Sequence, residues 1–281
     1  MEPALSESVH RLPAPPLRSL IASYSGYRQA GLAPALHRGL PSPFLTLIVT
    51  FDEPLTVAAH PDPHQPAGRY DLLIGGLHTA PAIVTHQGRQ AGIQVALSPL
   101  GARALLGLPA AELASIDLEA GDVVGPWAAE LHERVSAAGT WDERFAAVDE
   151  LLLRRMQLDR GPGDDVVAAW ELLLATGGAI GVADLAREVG WTPRHLGNRF
   201  AAEVGLSPKE AARVVRFDRA RRRLQREGAG LSLATLAADG GYYDQAHLAR
   251  EFRALAGTSP SRWREEEFRN IQAPGATAGA E

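Results

Sequence analysis

A short pattern near the end of this chain occurs twice, and the two copies are almost in register. Leu185-Ala186, Gly190 and Trp191 return 51 residues later as Leu236-Ala237, Gly241 and Tyr242. His195-Leu196, Phe200, Gly205 and Ser207-Pro208 return 52 residues later as His247-Leu248, Phe252, Gly257 and Ser259-Pro260. Self-similarity at a fixed spacing means that one supersecondary unit is used twice. The one-residue slip belongs in a turn, because an insertion inside a helix would rotate its apolar face by about 100°.

Each copy reads as a short helix, a glycine turn and a second helix. Val182, Leu185, Ala186 and Val189 share one face before Gly190, and Leu196, Phe200 and Val204 share the next. In the second copy, Leu233, Leu236 and Ala237 precede Gly240-Gly241, and Leu248, Phe252 and Leu255 follow. Thr192-Pro193 and Asp244 are N-terminal signals: a side-chain acceptor for free backbone N–H groups, with proline at the first helical position in one case. Two helices joined by a short glycine turn form the helix-turn-helix pattern, whose second helix enters the major groove of DNA. Between the copies, Ser207 to Glu227 reads as one helix with Gly228 as its stop. Its roughly 30 Å length is close to the roughly 34 Å between major-groove faces on one side of a duplex. One chain is therefore expected to set both second helices in adjacent grooves.

The net charge of −5 conceals a division along the chain. Residues 1–178 carry 12 arginines and no lysine against 20 carboxylates, a net of −8, whereas residues 179–264 carry 15 cations against 9 carboxylates, a net of +6. Phosphate attraction depends on the local field, so the basic segment is the one suited to a polyanion. The connecting helix holds Arg213, Arg216, Arg219, Arg221, Arg222, Arg223 and Arg226. They form either a solvated face around Val214, Phe217 and Leu224 or a set of phosphate contacts.

The stretch from Leu236 to Arg253, followed by Gly257-Thr258-Ser259-Pro260 and Trp263-Arg264, resembles the signature of AraC/XylS-type transcriptional regulators, and its weaker duplicate lies upstream. The resemblance covers roughly residues 166–267. It implies a domain that binds double-stranded promoter DNA and, by family habit, activates transcription through RNA polymerase. It also implies an N-terminal domain that senses a small-molecule effector, forms a homodimer, or does both. Carried over position by position, the DNA-binding candidates are Arg194, His195, Asn198 and Arg199 in the first unit and Gln245, His247 and Arg250 in the second. Gly197, Ala246 and Ala249 complete the carried-over base-reading positions, His247 is equally open to a structural or backbone-phosphate role at its helix N-terminus, and Arg216 and Arg222 are backbone candidates on the connecting helix. Arg250 suits guanine O6/N7 and Gln245 suits adenine. Where the family often has arginine on the first recognition helix this chain has Asn198 after Gly197, so the second unit is expected to dominate base reading.

The N-terminal half is less explicit. Phe44–Phe51, Asp71–Ile74, Ala82–Thr85 and Ile93–Leu97 read as strands between turn signals, and helices are expected near 126–138 and 142–156. The fold class is thus α+β with two domains. Residues 1–156 are expected to form a β-rich domain with helices, which the resemblance implies is a cupin-like sensing or dimerisation domain, and 157–165 a linker. Residues 166–268 form the all-α double helix-turn-helix domain, and 269–281 a disordered tail. Val148, Leu151 and Leu152 offer either a seam for a second copy or packing within their own domain. Arg38, Tyr70 and Arg103 stand near apolar segments and line a pocket or lie on the surface. His37, His60, His64, His78 and His86 lack the paired spacing of a cupin metal centre, and His60 and His64 sit in a proline-rich loop, so no metal or other cofactor is expected. With no cysteine, thiolate chemistry is excluded, including the DNA-repair methyl acceptors that carry a similar module. No signal peptide or membrane span is visible, and a cytoplasmic, non-enzymatic regulator is expected. The alternatives are a DNA-binding protein whose N-terminal half only recruits partners, or a cupin-like enzyme fused to a DNA-binding module.

Overall fold

The computed structural model describes residues 5–271. The first half is built from strands β1 (Leu5–Arg11), β2 (Ile21–Ala30), β3 (Ala35–Gly39), β4 (Leu45–Thr50), β5 (Leu55–Ala59), β6 (Gly68–Tyr70), β7 (Leu72–Gly75), β8 (Ala82–His86) and β9 (Gln90–Leu97). Helix α1 (Ala102–Leu106), strand β10 (Asp117–Glu119), and helices α2 (Ala120–Val124), α3 (Pro126–Ala137) and α4 (Trp141–Arg155) follow. A six-stranded sheet runs β1-β2-β9-β4-β7-β10 and a four-stranded sheet runs β3-β8-β5-β6. The pairings within both sheets are antiparallel.

The period-two alternation of β2, β4 and β9 sorts their side chains onto two faces of the large sheet. Tyr24, Leu47, Val49, Ile93 and Val95 are buried in the main core with Phe145 and Val148 of α4. Tyr24 stacks on Phe145 at 5.9 Å, and its hydroxyl donates to Asp149 at 2.8 Å. The opposite face carries Ser23, Ser25, Tyr27, Thr46, Gln90 and Gln94, which line a cavity closed by the small sheet.

Helix α4 is started by a capping box between Thr140 and Glu143. Its apolar face is used entirely inside the chain: Val148 and Leu151 are 0% exposed and Leu152 is 2%. Of the two roles open to these residues, packing within the domain is the one the structure shows. The outer side of the α3–α4 hairpin is polar and tied by Arg134–Glu150 and Arg154–Glu130 ion pairs.

After a 3-10 turn at Leu158–Arg160, seven helices follow: α5 (Asp164–Ala175), α6 (Val182–Glu188), α7 (Pro193–Val204), α8 (Pro208–Glu227), α9 (Leu233–Asp239), α10 (Gln245–Ala256) and α11 (Pro260–Ile271). Helix α11 reaches three residues beyond the expected end of the domain. The rest of the expected tail, 272–281, lies outside the described residues. Helix α8 is the spine, with Ser207 capping it and Glu210 returning the bond. On one side Trp170 of α5 meets Phe200 of α7. On the other, Phe217 of α8 meets Phe252 of α10, which also contacts Trp263 of α11.

The two halves share one continuous apolar core. Arg103 of α1 grips Glu203 of α7 through two bonds, 2.7 and 2.9 Å, and Arg38 of β3 pairs with Glu266 of α11. Gly205, which ends α7 at φ +87°, sits so close to the segment around Ala111 and Ala114 that a Cβ would fall within about 3 Å of both.

Candidate nucleic-acid interface

The repeat corresponds to two structurally matched units. In the first, α6 ends at a turn in which Gly190 takes φ +72°, Thr192 accepts from the His195 N–H at 3.2 Å, and Pro193 opens α7. In the second, Gly241 takes φ +73°, and Asp244 accepts from the His247 N–H at 2.6 Å to open α10. Both glycines occupy left-handed backbone that a residue with a Cβ adopts only under strain. The slip between the copies falls at Tyr243, between the aromatic that precedes it and the N-cap that follows. It therefore lies in the turn, as the spacing requires.

Seams of buried residues fix which face of each second helix points outward. Leu196, Phe200 and Val204 are 0% exposed on α7, as are Leu248, Phe252 and Leu255 on α10. The opposite faces present Arg194, His195, Asn198 and Arg199 in the first unit and Gln245, Ala246 and Arg250 in the second, all exposed. Gly197 adds no bulk to the first face, since a Cβ there would meet nothing within 4 Å.

The arginines fall into two groups. The guanidinium groups of Arg194, Arg199, Arg250 and Arg253 make no ion pair or hydrogen bond among the described residues. Most of those on α8 are engaged. Arg213 binds Glu251 of α10 at 2.9 Å, and Arg221 and Arg222 both hold Asp218, which is 5% exposed. Arg223 bridges Glu227 and Asp239. Arg216, a backbone candidate by sequence, is half-buried and donates to the Gly178 carbonyl in the turn after α5. Arg222, the other, is half-exposed with its Nε 2.6 Å from Asp218, and it lines the cavity facing the small sheet.

The two histidines also divide. His247 is half-buried; its Nδ1 accepts from the Tyr243 N–H at 3.2 Å and its ring lies edge-on to Tyr242 at 5.5 Å. It organises the turn before α10. His195 makes the matching edge contact with Trp191 at 4.6 Å but stays exposed. Tyr243 is 92% exposed at the mouth of α10. The sequence signalled it only as the extra residue of the second copy.

The second feature is the cavity between the sheets, about 520 Å³. Gln94, His10, His37 and Arg38 line it from the strands, and Arg221 and Arg222 reach it from α8. Arg38 thus lines a pocket, as the sequence allowed, and Arg103 lines a different one. Tyr70 is buried in a polar knot. His60 Nδ1 lies 2.7 Å from Asp117 Oδ2, and the Tyr70 hydroxyl lies 3.2 Å from His60 Nε2. The loop position expected for His60 is right, but the side chain is turned inward and 5% exposed. Among the described residues no three histidine or carboxylate side chains converge as a metal-holding group, and no helix is long and apolar enough to cross a membrane.

Burial, reinforced by the neighbouring His86, lowers the His37 pKa to about 4. Its ordinary value is near 6.5, so between those values the unfolded chain binds a proton that the folded chain refuses. The His37 contribution to stability is therefore expected to be constant above about pH 6.5 and to be lost progressively toward pH 4, on the order of 1–3 kcal/mol. Urea titrations across that range check this, and His37→Gln should flatten the slope.

Residues 185–266 match the family model for a helix-turn-helix domain, and residues 9–119 match that for a domain of unknown function (DUF6597). No curated protein matches the chain. Among solved structures it is similar to ToxT from Vibrio cholerae bound to (E)-4-(8-methylnaphthalen-1-yl)but-3-enoic acid, at 10% identity, 86% of this chain, 97% of that one and a TM-score of 0.50. It is similar also to the DNA-binding domain of AdpA in complex with a target DNA, at 22% identity, 39% of this chain, 98% of that one and a TM-score of 0.36. A third is a probable AraC family transcriptional regulator from Rhodopseudomonas palustris, at 24% identity, 37% of this chain, 97% of that one and a TM-score of 0.34. The C-terminal half is thus a double helix-turn-helix domain of the DNA-binding kind. It is of AraC type, and the chain as a whole has the two-domain fold of the ToxT structure.

Proposed function

We propose that this chain is a sequence-specific, cytoplasmic transcription regulator whose N-terminal domain holds a small-molecule effector and that performs no catalysis. The observation that carries the reading is the sorting of its arginines: those on the outward faces of α7 and α10 are unpaired among the described residues, while most of those on α8 are engaged within the chain. Exposed, uncompensated guanidinium groups at the mouths of two second helices suit phosphate and base-edge contacts. Arg194, His195, Asn198, Arg199, Gln245 and Arg250 are the proposed DNA-facing set, with His247 and Arg216 holding the scaffold behind them. Selection of bound duplexes from a random library, at low and raised salt, tests this. A motif with two elements about one helical turn apart is expected. Enrichment of no motif, with binding lost on raising salt, would leave only backbone attraction.

Tyr243 belongs to the same surface. Its exposed ring stands beside the N-terminus of α10, where a duplex backbone would pass. Tyr243→Ala is expected to weaken operator binding by about three- to tenfold, the loss of one contact, with stability unchanged. If Tyr243→Phe loses as much as Tyr243→Ala, the hydroxyl is the contact; if neither variant loses affinity, Tyr243 stands clear of the DNA.

The cavity supports a polar, acidic effector. Arg38 comes from the sheet domain and Arg221 and Arg222 from the spine of the DNA-binding domain, so an anion there would touch both halves at once. The ToxT structure holds a carboxylic acid. Thermal shifts against a panel of organic acids test the class, because a ligand that binds only the folded state raises stability. Arg38→Ala should abolish the shift.

A further inference from the structure

A second cleft lies on the outer side of the sheet domain, away from the cavity between the sheets. It encloses about 410 Å³ between the ends of α1 and α4 and the 3-10 turn after α4, a volume within the usual range for small-ligand sites. Four of the twelve arginines of residues 1–178 meet there: Arg103, Arg154, Arg155 and Arg160. In a segment whose net charge is −8, that concentration of cations requires an explanation.

Helix capping explains part of it. Arg155 donates to the Leu105 carbonyl at 2.5 Å and the Leu106 carbonyl at 3.4 Å, and lies 5.4 Å from the Trp127 ring centre. It satisfies the last carbonyls of α1. Carboxylates account for two more: Glu130 pairs with Arg154, and Glu203 takes both bonds from Arg103. Arg160 has no partner among the described residues, and the cleft retains more cations than carboxylates. Two of its guanidinium groups, Arg103 and Arg155, are already held by two bonds each. Arg155 therefore presents its remaining N–H donors without the cost of ordering them, whereas Arg103 serves a ligand in the cleft only by sharing or giving up its bonds to Glu203.

We propose that this cleft binds a small phosphate-bearing anion and that Arg103 relays its occupancy to α7. Planar guanidinium forks match phosphate oxygens two at a time. Arg103 is the shared element, since it lines the cleft and also anchors the C-terminal turn of the first recognition helix through Glu203. An anion that draws Arg103 inward weakens that anchor, a consequence that rests on the DNA-binding reading above.

Calorimetric titration of the full chain with inorganic pyrophosphate, in the absence of DNA, tests the site by itself. Saturable binding is expected, weakened by about tenfold or more in Arg160→Ala and in Arg154→Ala, whose exposed side chains leave the fold intact. Arg38→Ala, in the other cavity, should leave it unchanged. Absence of saturable heat at millimolar pyrophosphate overturns the proposal, as does binding that survives both cleft variants. Binding of citrate but not pyrophosphate overturns the phosphate assignment. If pyrophosphate does not bind and both cleft variants weaken duplex binding, the phosphates the cleft meets are those of DNA, and the free-ligand proposal falls. The relay is read separately: pyrophosphate should change the apparent affinity of the wild-type chain for its selected duplex and leave that of Arg160→Ala unchanged. A wild-type chain that binds no duplex defeats the regulator reading and the relay, while the calorimetry still decides the site.

Discussion

Arg250→Ala is expected to lower affinity for the selected duplex by about 10- to 100-fold, the equivalent of about 1–3 kcal/mol for a bidentate arginine–guanine contact. Affinity for an unrelated duplex should change far less. The reasoning starts from the seam of α10. Leu248, Phe252 and Leu255 face inward and are fully buried, so Arg250, two positions after Leu248 and two before Phe252, must face outward. No carboxylate among the described residues competes for it, so its guanidinium reaches the duplex without breaking an internal pair. Asn198 stands on the matching face of α7, but it is shorter, uncharged and preceded by a glycine that adds no surface. Asn198→Ala should therefore cost less than Arg250→Ala. Electrophoretic or fluorescence titration of both variants decides the order, and a chain that tolerates Arg250→Ala but fails with Asn198→Ala would reverse the dominance assigned to the second unit. A parallel loss on specific and unrelated duplexes would make Arg250 a phosphate contact instead.

The C-terminal architecture was readable in the sequence because its determinants are local. Apolar residues at helical spacing, glycine at the turns and Thr192, Ser207 and Asp244 as caps each act within a few residues, and the structure places them where the spacing requires. The N-terminal sheets were half readable for a physical reason. β4 and β8 are apolar enough to stand out, and β9 alternates cleanly. β2 turns Ser23, Ser25 and Tyr27 toward a polar cavity and Tyr24 and Gly26 toward α4, so its pattern resembles that of a loop. β1 and β3, which lie at sheet edges, carry few apolar residues to mark them. The division of labour among the arginines was not readable at all. Arg216, Arg222 and Arg250 are alike in sequence, and only the partners Gly178, Asp218 and none, supplied by distant or neighbouring packing, tell them apart. The inward turn of His60 was hidden likewise, because Asp117 lies 57 residues away.

Phe217→Ala is expected to cost about 3–5 kcal/mol of stability, the usual range for deleting a buried aromatic ring. The ring is 0% exposed and stands edge-on to Phe252 at 4.9 Å, and Phe252 in turn meets Trp263. Its removal opens a cavity where α8, α10 and α11 pack against one another. Because α8 also packs against α5, α7 and α9, the loss should not be confined to the second unit. The melting temperature should fall by about 4–8 °C for each kcal/mol lost in a domain near 100 residues, and DNA binding should fail at temperatures where Arg250→Ala is still folded. The pair of variants separates reading from scaffolding. Arg250→Ala removes affinity and leaves the melting curve in place, whereas Phe217→Ala moves the curve and loses affinity only as the fold is lost. A Phe217→Ala chain that melts with the wild type would show that the two units stand on independent cores. The connecting helix would then be a spacer and not the spine that fixes their separation on the duplex.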